Sequence, residues 1–359
     1  MRITPDKIAS STRNANLSSE LELSDKIICK QGYVIAGKIL NDKSTYNTLE
    51  LPSGRQSRVC KNDIVVGVLG ARNALRGYSG VVPDTLKAGD VIQVLNLGGV
   101  MGKFTSGNPA IGSPFNIEVL GSVLSFPDFT ERIGHPAHVL DGTVKPQDSL
   151  GKTPPLVIVT GTSMQAGKTT SACEIVKQLT HQGLKINAAK LTGISLMRDM
   201  LEMKDVGAKR VVDFTDAGIV CTNPDNVVHV AKGIVTTLAK DEPDCIVLEF
   251  GDGIMGQYGV MQLLLDKELM SNVKAHILAA NDQVGAWGAV KYLEGKCPAI
   301  DAITGPATDN TVGTSFVTTL GVQAANAMMQ GELLGKIAAR KLGLTIKVIP
   351  STTNKGVAQ

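Results

Sequence analysis

The chain has 359 residues, 43% hydrophobic and 19% charged, with 36 basic against 33 acidic side chains, so it can bury a large core and is not a disordered polyelectrolyte. A net charge of +3 and 4% aromatic residues give neither the electrostatic footprint nor the stacking surface of a nucleic-acid module. No apolar run approaches the ~20 residues that span a bilayer, no signal peptide is visible, and six scattered cysteines form no C-x-x-C pair, so a cytoplasmic protein with reduced thiols is expected.

From the N-terminus, short apolar segments alternate with turn residues: 33–40, 46–51, 63–69, 90–97 and 115–120. This rhythm predicts a small β-barrel or sandwich over residues 1–125. Gly98, Gly99 and Gly102 mark a sharp bend or a close backbone approach. Arg72 and Arg76, four residues apart and flanked by glycines, are candidates for gripping a carboxylate or phosphate. Residues 126–155 lose periodicity and collect Pro, Gly, Asp and Lys, as a linker does. His135 and His138 within it lack the neighbours that a metal site needs.

From Leu156 the pattern changes to apolar strands alternating with longer helical stretches, which predicts an α/β domain with a parallel sheet over residues 156–345, followed by a polar tail at 346–359. The strand Leu156–Thr160 runs into Gly161, Thr162, Ser163, Met164, Gln165, Ala166, Gly167, Lys168, Thr169 and Thr170, which satisfies G-x-x-x-x-G-K-[ST] and opens a helix. Such a loop cradles phosphate with backbone N–H groups at a helix N-terminus; Lys168 reaches the terminal phosphates and Thr169 offers a hydroxyl to a metal. Three more candidates end strands or open helices near the same edge. Lys190 closes the next strand, Asp199 begins a helix, and Glu249 ends an apolar strand before Gly251-Asp252-Gly253. Phe214–Gly218 is a candidate cleft loop and Thr308-Asp309-Asn310 a candidate base contact. Nothing reads Asn-Lys-x-Asp, the basis on which a guanine preference would rest.

This series, with Ala279-Ala-Asn-Asp-Gln-Val-Gly285 after it, resembles dethiobiotin synthetase, the cobyrinic acid amide synthetases and the MinD-like ATPases, within the P-loop NTPases that also hold the signal-recognition GTPases. A weaker similarity is to the P-loop-like D-glutamate N-acetyltransferases. The first resemblance implies an ATP- and Mg²⁺-dependent, ligase-like enzyme that activates a small carboxylate or carbamate. In it Lys168, Lys190 and Glu249 are catalytic, Thr169, Asp199 and Glu249 support the metal, and the partner is a small anionic substrate, without nucleic acid or membrane and with a homo-oligomer expected. The alternatives are a nucleotide-switch ATPase scaffold and a coenzyme A-dependent N-acyltransferase.

Overall fold

The computed structural model describes residues 1–126 and 133–344; the tail at 346–359 and part of the linker, 127–132, lie outside the described residues. The C-terminal half is built on seven parallel strands in the spatial order Val211–Asp213, Ile186–Thr192, Cys245–Phe250, Leu156–Gly161, Val273–Ala279, Ala302–Thr304, Gln323–Ala324. Every residue of the central strand, Leu-Val-Ile-Val-Thr-Gly, is buried, as a parallel strand covered on both faces must be.

The two-residue period of that strand divides the core. Val157 and Val159 pack with Ile175, Val176 and Leu179 of helix α1 (Lys168–His181), together with Leu334 and Ile337 near the C-terminal end. Leu156 and Ile158 face the opposite layer, which includes Val230, Ile234 and Leu238. On the first layer lies helix α2 (Arg198–Asp205), and on the second helix α3 (Val227–Ala239). Because the sheet is wound this way, the P-loop and the ends of the strands carrying Lys190 and Glu249 open at one edge.

In the N-terminal half, strand pairing closes on itself. Phe115–Ser125 pairs with Val34–Ile39, that strand with Ile64–Leu69, the next with Val100–Gly107, then with Val91–Val94, which returns to Phe115–Ser125. Ile35, Val65, Met101 and Ile117 fill one side of this ring. Val34, Val66, Val68 and Val100 form a second cluster on the other side, into which Val220 of the C-terminal half inserts with Ile194 beside it. Gly98 and Gly99, read as a bend or a close approach, lie in the turn that carries Val91–Val94 back into its antiparallel partner Val100–Gly107, and a Cβ at Gly98 would lie 2.2 Å from the Ser195 carbonyl. Gly98 is therefore a close approach between the two halves.

Polar contacts fix the same junction. Arg13, nearly buried, reaches both Asp213 and Asp216, the latter at 3.0 Å. The Asn14 amide donates to the Thr215 carbonyl at 2.6 Å, and the Asn96 amide to Ser195 at 2.8 Å. Glu50 is fully buried and accepts from the backbone N–H groups of Met197 at 2.7 Å and Arg198 at 2.8 Å, as well as from the Ser10 hydroxyl. These N–H groups are at the start of α2, where a carboxylate satisfies unpaired donors and meets the positive end of the helix dipole. No helix among the described residues is long and apolar enough to cross a membrane.

Candidate functional site

The phosphate loop is shaped by backbone that L-side chains seldom adopt: Gln165 at φ 62° and Gly167 at φ 93°, immediately before α1. Lys168, 6% exposed, folds back to donate to the Ser163 carbonyl at 2.8 Å. Burial depresses its ammonium against the pull of Glu249. The loop is braced from the neighbouring strand, because the Asn281 side chain donates to Ser163 Oγ at 2.6 Å and its N–H to Thr162 Oγ1 at 3.2 Å. Asn281 lies in the stretch quoted for the family resemblance, but its bracing role was not read there.

Thr169 Oγ1 donates to Glu249 Oε1 at 3.0 Å, so the two residues expected at a metal stand together. Glu249 Oε2 is buried without a partner. Burial, reinforced by the Asp199 charge, pushes this carboxyl up to about 7. Asp252, in the left-handed region at φ 67°, has both carboxylate oxygens buried and unpartnered, and burial raises it to about 6. Two carboxyl groups with empty acceptor positions beside a lysine are built to receive donors that the chain itself does not supply.

Lys190 and Asp199 meet differently from expectation. They form a buried ion pair with each other, and Asp199 also takes Arg198 at 3.3 Å. Burial opposes charge on Lys190, yet Asp199 holds it above its ordinary value; the same pair holds Asp199 below its own, despite burial. Asp199 is thus already neutralised by two cations, which sets it apart from Thr169 and Glu249. Among the described residues no group of three or more His, Cys, Asp or Glu side chains is placed to hold a metal.

A cleft of about 500 Å³ joins these groups, and its wall is composite. Lys168, Thr169, Glu249 and Asp252 line it from the C-terminal half, and Tyr46, Arg72, Asn96 and Leu97 from the N-terminal one. Of the two candidate arginines only Arg72 reaches it; Arg76 is exposed on the turn beyond. Phe214–Ala217 forms a single 3-10 turn capped by Asp213 and tied to Arg13, outside the cleft lining. Thr308 and Asp309 are bonded to Asn326, and Asn310 caps the helix Thr311–Thr319, so this segment too stands apart from the cleft. Tyr46, Asn96 and Leu97 carried no motif, and their place at the cleft follows only from the tertiary fold.

The fold and loop together define a P-loop NTPase α/β architecture with a parallel C-terminal sheet. No family model matches the sequence, and no curated protein does. The chain is similar to the signal recognition particle receptor FtsY of Elizabethkingia anophelis in complex with GDP, at 13% identity and a TM-score of 0.34, over 56% of this chain and 58% of that one. It is also similar to the signal recognition particle 54 kDa protein of Aeropyrum pernix in complex with GDP, at 20% identity, TM-score 0.34, over 57% and 50% of the two chains. For FtsY of Thermotoga maritima the values are 16%, 0.33, 58% and 65%. The chain therefore spans about half to two thirds of these proteins' lengths, and the likeness is one of fold.

These findings correct the expectation of an ATP- and Mg²⁺-dependent ligase of the dethiobiotin synthetase, cobyrinic acid amide synthetase or MinD kind acting on a small anionic substrate. The solved chains that resemble this one are signal recognition particle proteins, two of them holding GDP. The geometry supplies a physical reason in the same direction: Lys190, assigned to a substrate anion, spends its charge on Asp199.

Proposed function

We propose that the chain is a nucleotide switch, in which phosphates held on Gly161–Thr170 control how the N-terminal sheet sits against the nucleotide-binding half. The observation that carries this reading is the composite cleft, with the phosphate loop on one wall and Tyr46, Arg72 and Asn96 on the other. Lys168 would leave the Ser163 carbonyl for the phosphates, and Thr169 with Glu249 would meet a divalent cation brought by them, Glu249 Oε2 being an open acceptor. Glu50 ties the N-terminal half to the start of α2, whose Arg198 and Asp199 also line the cleft, so a shift of α2 reaches both sheets. In this reading residues 1–125 are a small β-barrel, supported by the closed ring of pairings. Residues 156–345 are the nucleotide-binding domain, joined to it through 126–155.

The test is a thermal-shift series on the full chain with GTP, GDP, ATP, ADP and acetyl-CoA, each with magnesium. A nucleoside di- or triphosphate at 100 times its Kd stabilises the folded chain by about 2.7 kcal/mol, and Lys168→Ala removes most of the gain. Stabilisation by acetyl-CoA alone, or by none of the five, overturns the switch.

A further inference from the structure

Arg72 is 3% exposed on the cleft wall, yet among the described residues it has no carboxylate within ion-pair distance. Three other buried cations are matched: Arg13 by Asp213 and Asp216, Lys190 by Asp199, and Lys232 by Asp266 and Glu268; Lys168, on the phosphate loop, rests on the Ser163 carbonyl instead. The Arg72 guanidinium instead touches neutral acceptors. Its Nη1 donates to the Tyr46 hydroxyl at 3.2 Å and to the Leu95 carbonyl, while Nε is buried with no partner. Asp252 lies near enough to feel this charge but does not pair with it, and both its oxygens are also unpartnered. A buried guanidinium with an unused donor is costly unless an anion arrives to share it.

Resting on the switch reading, we propose that Arg72 is the chain's own receptor for the terminal phosphate of the nucleotide, a triphosphate sensor that the N-terminal sheet extends over the P-loop. The phosphate loop and Lys168 hold one end of the phosphate chain, and Arg72 faces them from the other sheet. A triphosphate reaches both walls, whereas a diphosphate leaves Arg72 unmatched. The fork of a guanidinium suits a tetrahedral oxyanion, and Tyr46 and Leu95 fix its plane. The state of the nucleotide is thereby converted into attraction between the two halves.

Calorimetric titration of the full chain with GDP and with a non-hydrolysable GTP analogue, and in parallel with the adenine pair, tests this. The wild type is expected to prefer triphosphate over diphosphate. Arg72→Ala is expected to lower triphosphate affinity at least 10-fold and to leave diphosphate affinity within 2-fold. Arg72→Lys retains the charge without the fork and falls between them, and it serves as the readout if the alanine variant fails to fold. An equal loss for both nucleotides marks Arg72 as structural and overturns the proposal, as does unchanged discrimination in a well-folded variant. A wild type that binds neither nucleotide overturns the switch reading itself, and this inference with it.

Discussion

Replacing Asp252 by Asn tests whether the cleft is strained by its own charge when no ligand is present. Burial raises the folded-state pKa of Asp252 from 3.8 to about 6, with Lys168, Arg72 and Lys190 pulling the other way and not prevailing. A carboxyl whose folded pKa exceeds its unfolded value stabilises the fold fully below pH ~4 and loses that contribution as pH rises through the folded value near 6. A two-unit shift corresponds to about 3 kcal/mol. Solvent in the cleft screens part of it, leaving ~1–2 kcal/mol. Asn matches Asp in shape and tolerates the left-handed backbone at φ 67°. Without nucleotide, Asp252→Asn is therefore expected to melt about 3 °C above the wild type at pH 8 and to show little difference at pH 4.5. Melting curves at both pH values, followed by circular dichroism, measure this. A variant no more stable at pH 8, or a difference independent of pH, would refute the reasoning.

Glu50→Ala strips two backbone donors at the start of α2 of their acceptor and is expected to cost about 3 kcal/mol in urea unfolding, with faster hydrogen exchange across Arg198–Asp205; a loss below ~1 kcal/mol contradicts the docking role. Lys190→Ala leaves Asp199 buried with only Arg198 and is expected to cost ~3–5 kcal/mol. The double variant Lys190→Met/Asp199→Leu should recover most of that loss in the same unfolding assay, and strict additivity of the single losses would speak against a coupled pair.

How much of this was legible in the sequence depended on distance along the chain. The phosphate loop is ten consecutive residues between an apolar strand and a helix, so the pattern and its context could be read together. Lys190 and Asp199 were both found, but not that they bind each other, since an intervening loop hides which side chains converge. Glu50 meets Met197 across 147 residues, and Arg72, Tyr46 and Asn96 reach the cleft through sheet packing, which leaves no periodic trace. The strand Val100–Gly107 was masked by its glycines, and its approach to Ile64–Leu69 depends on Gly67, where a Cβ would lie 2.2 Å from the Gly99 carbonyl. Helix α3 went unread because its valines and threonines favour strands, whereas eight of its residues are buried and its packing decides the matter. Near the C-terminus Gln323–Ala324 adds a two-residue edge strand, too short to leave an apolar alternation, before the helix Gly331–Lys341.

Val220 has a consequence for biosynthesis. It completes an apolar cluster whose other buried members, Leu21 to Val139, are all translated earlier. At about 5–20 residues per second, the ribosome takes roughly 5–20 s to travel from the last ring strand, Phe115–Ser125, to Val220. Throughout that interval the nascent N-terminal sheet displays Val34, Val66 and Val100 without their cover. The valine that closes the junction thus also sets the moment at which the emerging chain stops being a target for chaperones that bind exposed apolar surface.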